Sequence, residues 1–347
     1  MAKDKKLRVV VIGCGAIAQR RHLPEYKARP DVQIVAVVDK NRQRAKQVAG
    51  EFGAGEFFTD YRDALALKPD AASICTPTAF HAPYSIAFLR AGAHVLCEKP
   101  MAAGLREGKA MVAAASAARR QLMIGHNQRL HVAHVRGKKV LASGILGKPI
   151  SFTTTFAHGG PETWSVDLLK CHFFRRGEAI WGSMADLGVH KIDLMRWLLD
   201  DDFVEVTAMF DTLVKKKCSV EDTAYAVLRT SRGVMGQMFA GWAHQPGCDN
   251  STRIYCEKGI LRLEDDPQFT VVAELASGER HCIRTQGIQT NEKGGQFSSG
   301  VIDGFVDAVL TGRPNPIPGT SILNSLATVV ACVESGRTGR FVRVPKV

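Results

Sequence analysis

Short, nearly continuous apolar runs separated by helical patterns dominate the first third of the chain. Leu7 to Ile12 (LRVVVI) and Val32 to Val38 (VQIVAVV) read as strands buried on both faces, with a helical stretch from about Ala16 to Ala28 between them. Strand, helix, strand is one βαβ unit, and the pattern repeats. Helices over 41–52, 60–67, 79–91 and 105–119 alternate with strands over 71–75, 94–97 and 122–125. This alternation predicts an α/β fold that begins with a doubly wound, parallel Rossmann sheet over residues 1–126.

Beyond residue 126 the rhythm changes. Helices are expected over 128–142 and 183–199, followed by an alternating strand at 204–210 (VEVTAMF) and further strands over 223–228, 234–242, 253–257 and 260–263 at hairpin spacing. Two helices, over 299–310 and 321–335, and a short strand over 341–344 close the chain. The expectation for 127–347 is an α+β domain with an open, mainly antiparallel sheet.

Composition narrows the function classes. A chain of 347 residues, 45% hydrophobic and 23% charged, suits two domains with cores of their own. Its nine cysteines form no CxxC pair and no zinc-ligand spacing, so reduced, buried thiols and no metal site are expected. The net charge of +12 is scattered, as at Lys3, Lys5 and Lys6 and again at Lys215, Lys216 and Lys217. Without a recognition-helix pattern it reads as solvated surface and argues against a nucleic-acid partner, while leaving an anionic substrate or cofactor compatible. The charged first residues lack a secretory pattern, and no apolar run approaches the ~18 residues of a membrane span, so a cytoplasmic chain with no membrane partner is expected.

The candidate chemistry lies at strand ends. Gly13-Cys14-Gly15-Ala16-Ile17-Ala18 follows the first strand and fits the glycine-rich dinucleotide fingerprint, with Gly13 for the tight turn and Gly15 for close approach of a pyrophosphate. Alone this motif is common; Asp39 at the end of the second strand strengthens it, because a carboxylate there can bind the adenosine ribose and repel a 2′-phosphate. NAD is therefore expected over NADP, although Lys40, Arg42 and Arg44 could each pair with a phosphate. In Cys75-Thr76-Pro77-Thr78, Thr76, Pro77 and the later His81 sit where a dinucleotide would pass, but a strand-to-helix turn explains the same residues. Glu98-Lys99-Pro100 ends another parallel strand on the same sheet edge. Farther on, Asp186 and His190 are four apart in a helical segment and share a face, an arrangement suited to proton transfer.

In these motifs, together with "IGHNQR", "MADLGVHKIDLMRWLL" and "FVDAVLTGRPNPI", essentially the whole chain resembles the Gfo/Idh/MocA oxidoreductases. The Glu-Lys-Pro tripeptide with Asp-x-Gly-x-His is the specific pair. The resemblance implies an active site between the domains, a cis bond before Pro100, and Lys99, Asp186 and His190 in the places of the family's catalytic trio. It also implies a sugar or cyclitol substrate and a homodimer or homotetramer formed through the antiparallel sheet. His190 is the expected general base, Asp186 orients it or the substrate, Lys99 stabilises the developing alkoxide, and Glu98 helps orient the nicotinamide ribose. Asn127 and Arg129 are expected to contact substrate or nicotinamide, and Trp164 is either a platform for a sugar face or a cover for a core edge. Two other classes stay open: a glycosidase that uses NAD without net redox change, and a non-catalytic dinucleotide-binding regulator.

Overall fold

A computed structural model describes residues 6–285 and 298–347. Packing divides the chain into two compact units: residues up to 126 with 164–169 and the stretch ending at 322, and the remainder.

The first unit is built on six parallel strands: β1 (Leu7–Ile12), β2 (Val32–Val38), β3 (Glu56–Phe58), β4 (Ala71–Ile74), β5 (His94–Cys97) and β6 (Leu122–Ile124), in the order β3-β2-β1-β4-β5-β6. Strand β1 is central, and Val9, Val10, Val11 and Ile12 are all buried, which is why its sequence is a continuous apolar run. The order of the strands reverses between β1 and β4, the place where ligands of such sheets bind. Register fixes what lies there: Ile12 pairs with Val38 on one side and Ile74 on the other, and Ile74 pairs with Cys97. Gly13, Asp39, Cys75 and Glu98, each one residue farther on, therefore share one edge.

The helix expected from Ala16 is two pieces, a π-helical turn (Ala18–His22) leading into an α-helix (Leu23–Ala28). Strand β3 has only three residues and no fully buried position, so its pattern is too short to announce it. A larger departure concerns the Val301–Thr311 helix, which the sequence assigns to the second domain and packing assigns to the first. Glu25 accepts hydrogen bonds from Ser299 N (2.9 Å) and Oγ (3.0 Å), and Arg29 pairs with Asp303 (3.1 Å) and Asp307 (2.8 Å).

The second unit carries nine strands: β7 (Pro149–Ala157), β8 (Phe203–Asp211), β9 (Thr223–Thr230), β10 (Met235–Gly241), β11 (Thr252–Cys256), β12 (Gly259–Leu263), β13 (Val271–Leu275), β14 (Arg280–Ile283) and β15 (Val342–Arg343). Their order is β14-β13-β12-β11-β7-β10-β9-β8-β15, antiparallel except for the β7–β10 pair. Strand β7 is central yet unforeseen, because Thr153, Thr154 and Thr155 mask its period; Phe152, Thr154 and Phe156 nonetheless all face inward. Strands β13 and β14 were likewise not expected. The Val189–Leu199 helix packs on β7, and the helix expected from residue 128 begins at Val132, after a 3₁₀ turn at Asn127–Leu130. Among the described residues no helix is long and apolar enough to cross a membrane, and no cluster of His, Cys, Asp and Glu is placed to hold a metal.

Candidate active site

On the first unit, Gly13 adopts φ +95°, and a Cβ there would lie 2.5 Å from the Cys75 carbonyl oxygen, so only glycine fits. Gly15 differs: a Cβ would meet nothing within 4 Å, leaving open space over the backbone that precedes the helical turn. Ala16 is buried and Ile17 half-buried in the first turn. Asp39 is 8% exposed; its Oδ2 accepts from Cys14 N (3.0 Å) and its Oδ1 from Asn41 N (2.8 Å), which fixes the carboxylate beside the glycine turn. Burial, with the Asp39 charge adding to it, pushes the Cys14 thiol up to about 12, so this cysteine stays protonated and unreactive. Thr76 Oγ1 is buried without a hydrogen-bond partner among the described residues. An open cradle at Gly15, a held carboxylate and an unmatched hydroxyl fit a dinucleotide.

His81, expected either at the dinucleotide or in a structural turn, joins two turns. Its Nδ1 lies 2.7 Å from the Pro100 carbonyl oxygen and its Nε2 2.8 Å from that of Thr76, and burial lowers its pKa. It braces Pro77 and its neighbours against the Lys99–Pro100 turn, whose peptide bond is cis.

Glu98 has a similar inward part. Its Oε1 is 3.0 Å from His22 Nε2, and its Oε2 accepts from Lys99 N at 3.1 Å. The chain continues from His22 Nδ1 to Ser73 Oγ (3.1 Å) and from there to Tyr26 Oη (2.8 Å). Burial alone would raise the Glu98 carboxyl, but the His22 hydrogen bond and the His22 and Lys99 charges hold it below the usual carboxylate value. The π-helical turn supplies His22 to this chain. Lys99, half-buried, follows directly on the braced carboxylate.

On the second unit, Asp186 lies in a π-helical turn (Met184–Gly188), not in the regular helix the sequence suggests; the α-helix starts at Val189 and carries His190. Glu221 anchors the turn's entry, its Oε1 accepting from Gly182 N (2.9 Å) and Met184 N (3.1 Å). A Cβ on Gly182 would lie 1.9 Å from Glu221 O, so the approach requires glycine. Asp186 and His190 are each 6% exposed. The indole Nε1–H of the fully buried Trp242 donates to Asp186 Oδ2 at 3.0 Å, and Phe156 meets the His190 ring edge-on at 5.6 Å. Phe173 and Phe174 pack on Trp242.

Trp242 was missed in the sequence, although its signal was present: it continues the inward period of Met238 and Ala240 on β10. Trp164, expected either as a sugar platform or as a cover for a core edge, groups with the first unit. Arg129, expected at the substrate or the nicotinamide, is buried in an ion pair. Its Nε and Nη2 donate to Asp193 Oδ2 (2.7 Å) and Oδ1 (2.5 Å) in a buried bidentate pair. Asn127, half-buried, opens the 3₁₀ turn before it. Of the cations near Asp39, Arg42 stacks over Phe57 (5.3 Å), Arg44 is paired with carboxylates, and Lys40 is exposed.

Comparison with known proteins adds the family context. Residues 7–126 match "Oxidoreductase family, NAD-binding Rossmann fold", and residues 134–262 match "GFO/IDH/MocA C-terminal domain". The chain is 27% identical to an inositol 2-dehydrogenase of Rhizobium meliloti (strain 1021), covering 95% of this chain and 96% of that protein. It is 29% identical to a 1,5-anhydro-D-fructose reductase of Ensifer adhaerens, with 96% and 97% covered. Among solved structures, GenD2 from gentamicin A biosynthesis, in complex with NAD, aligns with a TM-score of 0.83 at 26% identity, covering 99% and 97% of the two chains.

Proposed function

The chain belongs to the Gfo/Idh/MocA oxidoreductases, and from that premise we propose that it oxidises a secondary hydroxyl of an inositol, sugar or sugar derivative, with Lys99, Asp186 and His190 acting on the reacting group. Its first unit is an NAD-binding Rossmann domain and the protein is a sugar or polyol oxidoreductase. The observation that carries the finer reading is the Asp186 carboxylate held by Trp242, one helical step before a buried His190.

NAD bound over Gly13, Gly15 and Asp39 supplies the hydride acceptor. His190 takes the hydroxyl proton on an imidazole nitrogen, and the hydrophobic edge contact with Phe156 limits the directions its ring can face. The Asp186 carboxylate, held by Trp242, orients that exchange. The Lys99 ammonium opposes the negative charge that builds on the substrate oxygen, and the His22–Glu98 pair keeps the preceding backbone in place. Lys99 thus acts directly, whereas Glu98 acts through position.

The test is reduced-nicotinamide absorbance from purified protein given NAD and a panel of inositols, hexoses, sugar acids and anhydrosugars. Reduction with one stereochemical group is expected; silence across the panel, with NAD binding established by calorimetry, would overturn the reading. Trp242→Phe gives a sharper check. A hydrogen bond to a charged group is worth about 1.5–3 kcal/mol, so kcat should fall roughly ten-fold or more with NAD affinity unchanged. An unchanged kcat would reduce Trp242 to packing.

We further propose that a second copy covers the outer face of the nine-stranded sheet. Cross-strand register lines up Met209, Tyr225 and Phe239 in one row and Thr207, Val227 and Gln237 in the next. The opposite residues Ala208, Ala226 and Met238 are buried, yet Met209 is 80% exposed, Tyr225 55% and Val227 49%. Such an apolar patch is a candidate interface. Met209→Glu should shift the sedimentation velocity profile to a smaller species; a native protein already monomeric, or a variant of unchanged mass, would exclude this face.

A further inference from the structure

Arg44 sits beside the carboxylate that faces the adenosine ribose in folds of this kind, with its Nη1 3.7 Å from Asp39 Oδ2. A guanidinium in that position is suited to receive the 2′-phosphate of NADP. It is already paired. Asp167, from a segment 123 residues farther along the chain, accepts from Arg44 Nη1 at 3.3 Å and from Nη2 through its other oxygen. Residues 164–169 belong to the first unit by their packing, although the chain on either side of them belongs to the second. Ser165 is buried and its Oγ accepts from Asp167 N (3.3 Å), so the carboxylate is presented from a short, anchored turn. Of the neighbouring cations, Arg42 stacks over Phe57 and Lys40 is exposed beyond the strand end.

We propose that Asp167 is a specificity-determining residue for the dinucleotide: by pairing with Arg44 it occupies the guanidinium that would otherwise accept a 2′-phosphate, and it adds a second negative charge to that of Asp39. The proposal rests on the NAD-binding role of the first unit and is independent of the sugar chemistry. Two carboxylates then oppose the phosphate, and the guanidinium between them is already engaged. Removing Asp167 leaves Asp39 in place, so discrimination narrows instead of reversing.

The experiment is calorimetric binding of NAD and NADP to the full chain, native and Asp167→Asn, with Asp167→Asn/Arg44→Gln as the control. At the separations and screening of a half-exposed site, loss of one charge and release of another should tighten NADP binding by about ten-fold, with a much smaller change for NAD. The double variant should lose that gain. NADP affinity that stays as in the native protein, or NAD and NADP affinities that change by the same factor, would overturn the proposal, the second outcome meaning that Asp167 only holds the turn. Because binding is read directly, a failure here is distinct from an absence of turnover on the sugar panel.

Discussion

His190→Ala is expected to lower kcat by about 10²- to 10⁴-fold, the usual contribution of a positioned general base, with NAD affinity unchanged. His190 lies in the second unit on the helix that starts at Val189, whereas the glycine turn and Asp39 lie in the first. On the proposed roles, losing the imidazole removes a proton acceptor and leaves every residue of the cradle in the sequence. Steady-state rates on whichever panel substrate is oxidised, alongside calorimetric NAD titration, separate the two effects. Lys99→Ala should produce a loss of similar order by a different route, since alanine leaves the developing oxyanion without its counter-charge. Rates within a few-fold of native for either variant would remove that residue from its assigned part, and a parallel loss of NAD affinity would mean the damage is structural.

Legibility in the sequence followed burial and period. The six-stranded sheet reads almost directly because β1 and β2 are buried on both faces and appear as unbroken apolar runs, and because a parallel sheet's ligand edge follows from where those runs stop. Asp39 and the glycine turn came with them. In the second sheet β7 escaped notice, since three consecutive threonines conceal an inward face made by Phe152, Thr154 and Phe156. The consequence was functional as well as architectural, for Phe156 is the ring against His190. Trp164 stands near other polar and aromatic residues in sequence, but only three-dimensional packing shows that its segment belongs with the first unit and that Trp242 reaches Asp186. Partners that lie tens of residues away, such as Glu221 for Gly182 or Asp167 for Arg44, leave no local trace. The two π-helical turns were also invisible, because a helix that widens for five residues keeps nearly the same apolar spacing.

Asp193→Ala is expected to cost the folded protein about 3–5 kcal/mol, the typical penalty for breaking a buried ion pair by removing one partner. The Asp193 side chain is 1% exposed and that of Arg129 8%, so the stranded guanidinium would have little water to compensate it. Ser325 Oγ, which donates to Asp193 Oδ1 at 2.8 Å, would lose its acceptor as well. Urea unfolding should show the loss as a lower midpoint. A double variant, Arg129→Met with Asp193→Leu, should recover most of it, because replacing both members of a buried pair with apolar residues is often neutral or stabilising. A single variant as stable as the native protein, or a double variant no better than the single, would show that the pair is not the anchor described. Asp193 follows His190 by three residues on the same helix, and its bidentate bond with Arg129 fixes that helix against the turn beginning at Asn127. Arg129, expected at the substrate or the nicotinamide, thus also holds in register the helix that carries His190.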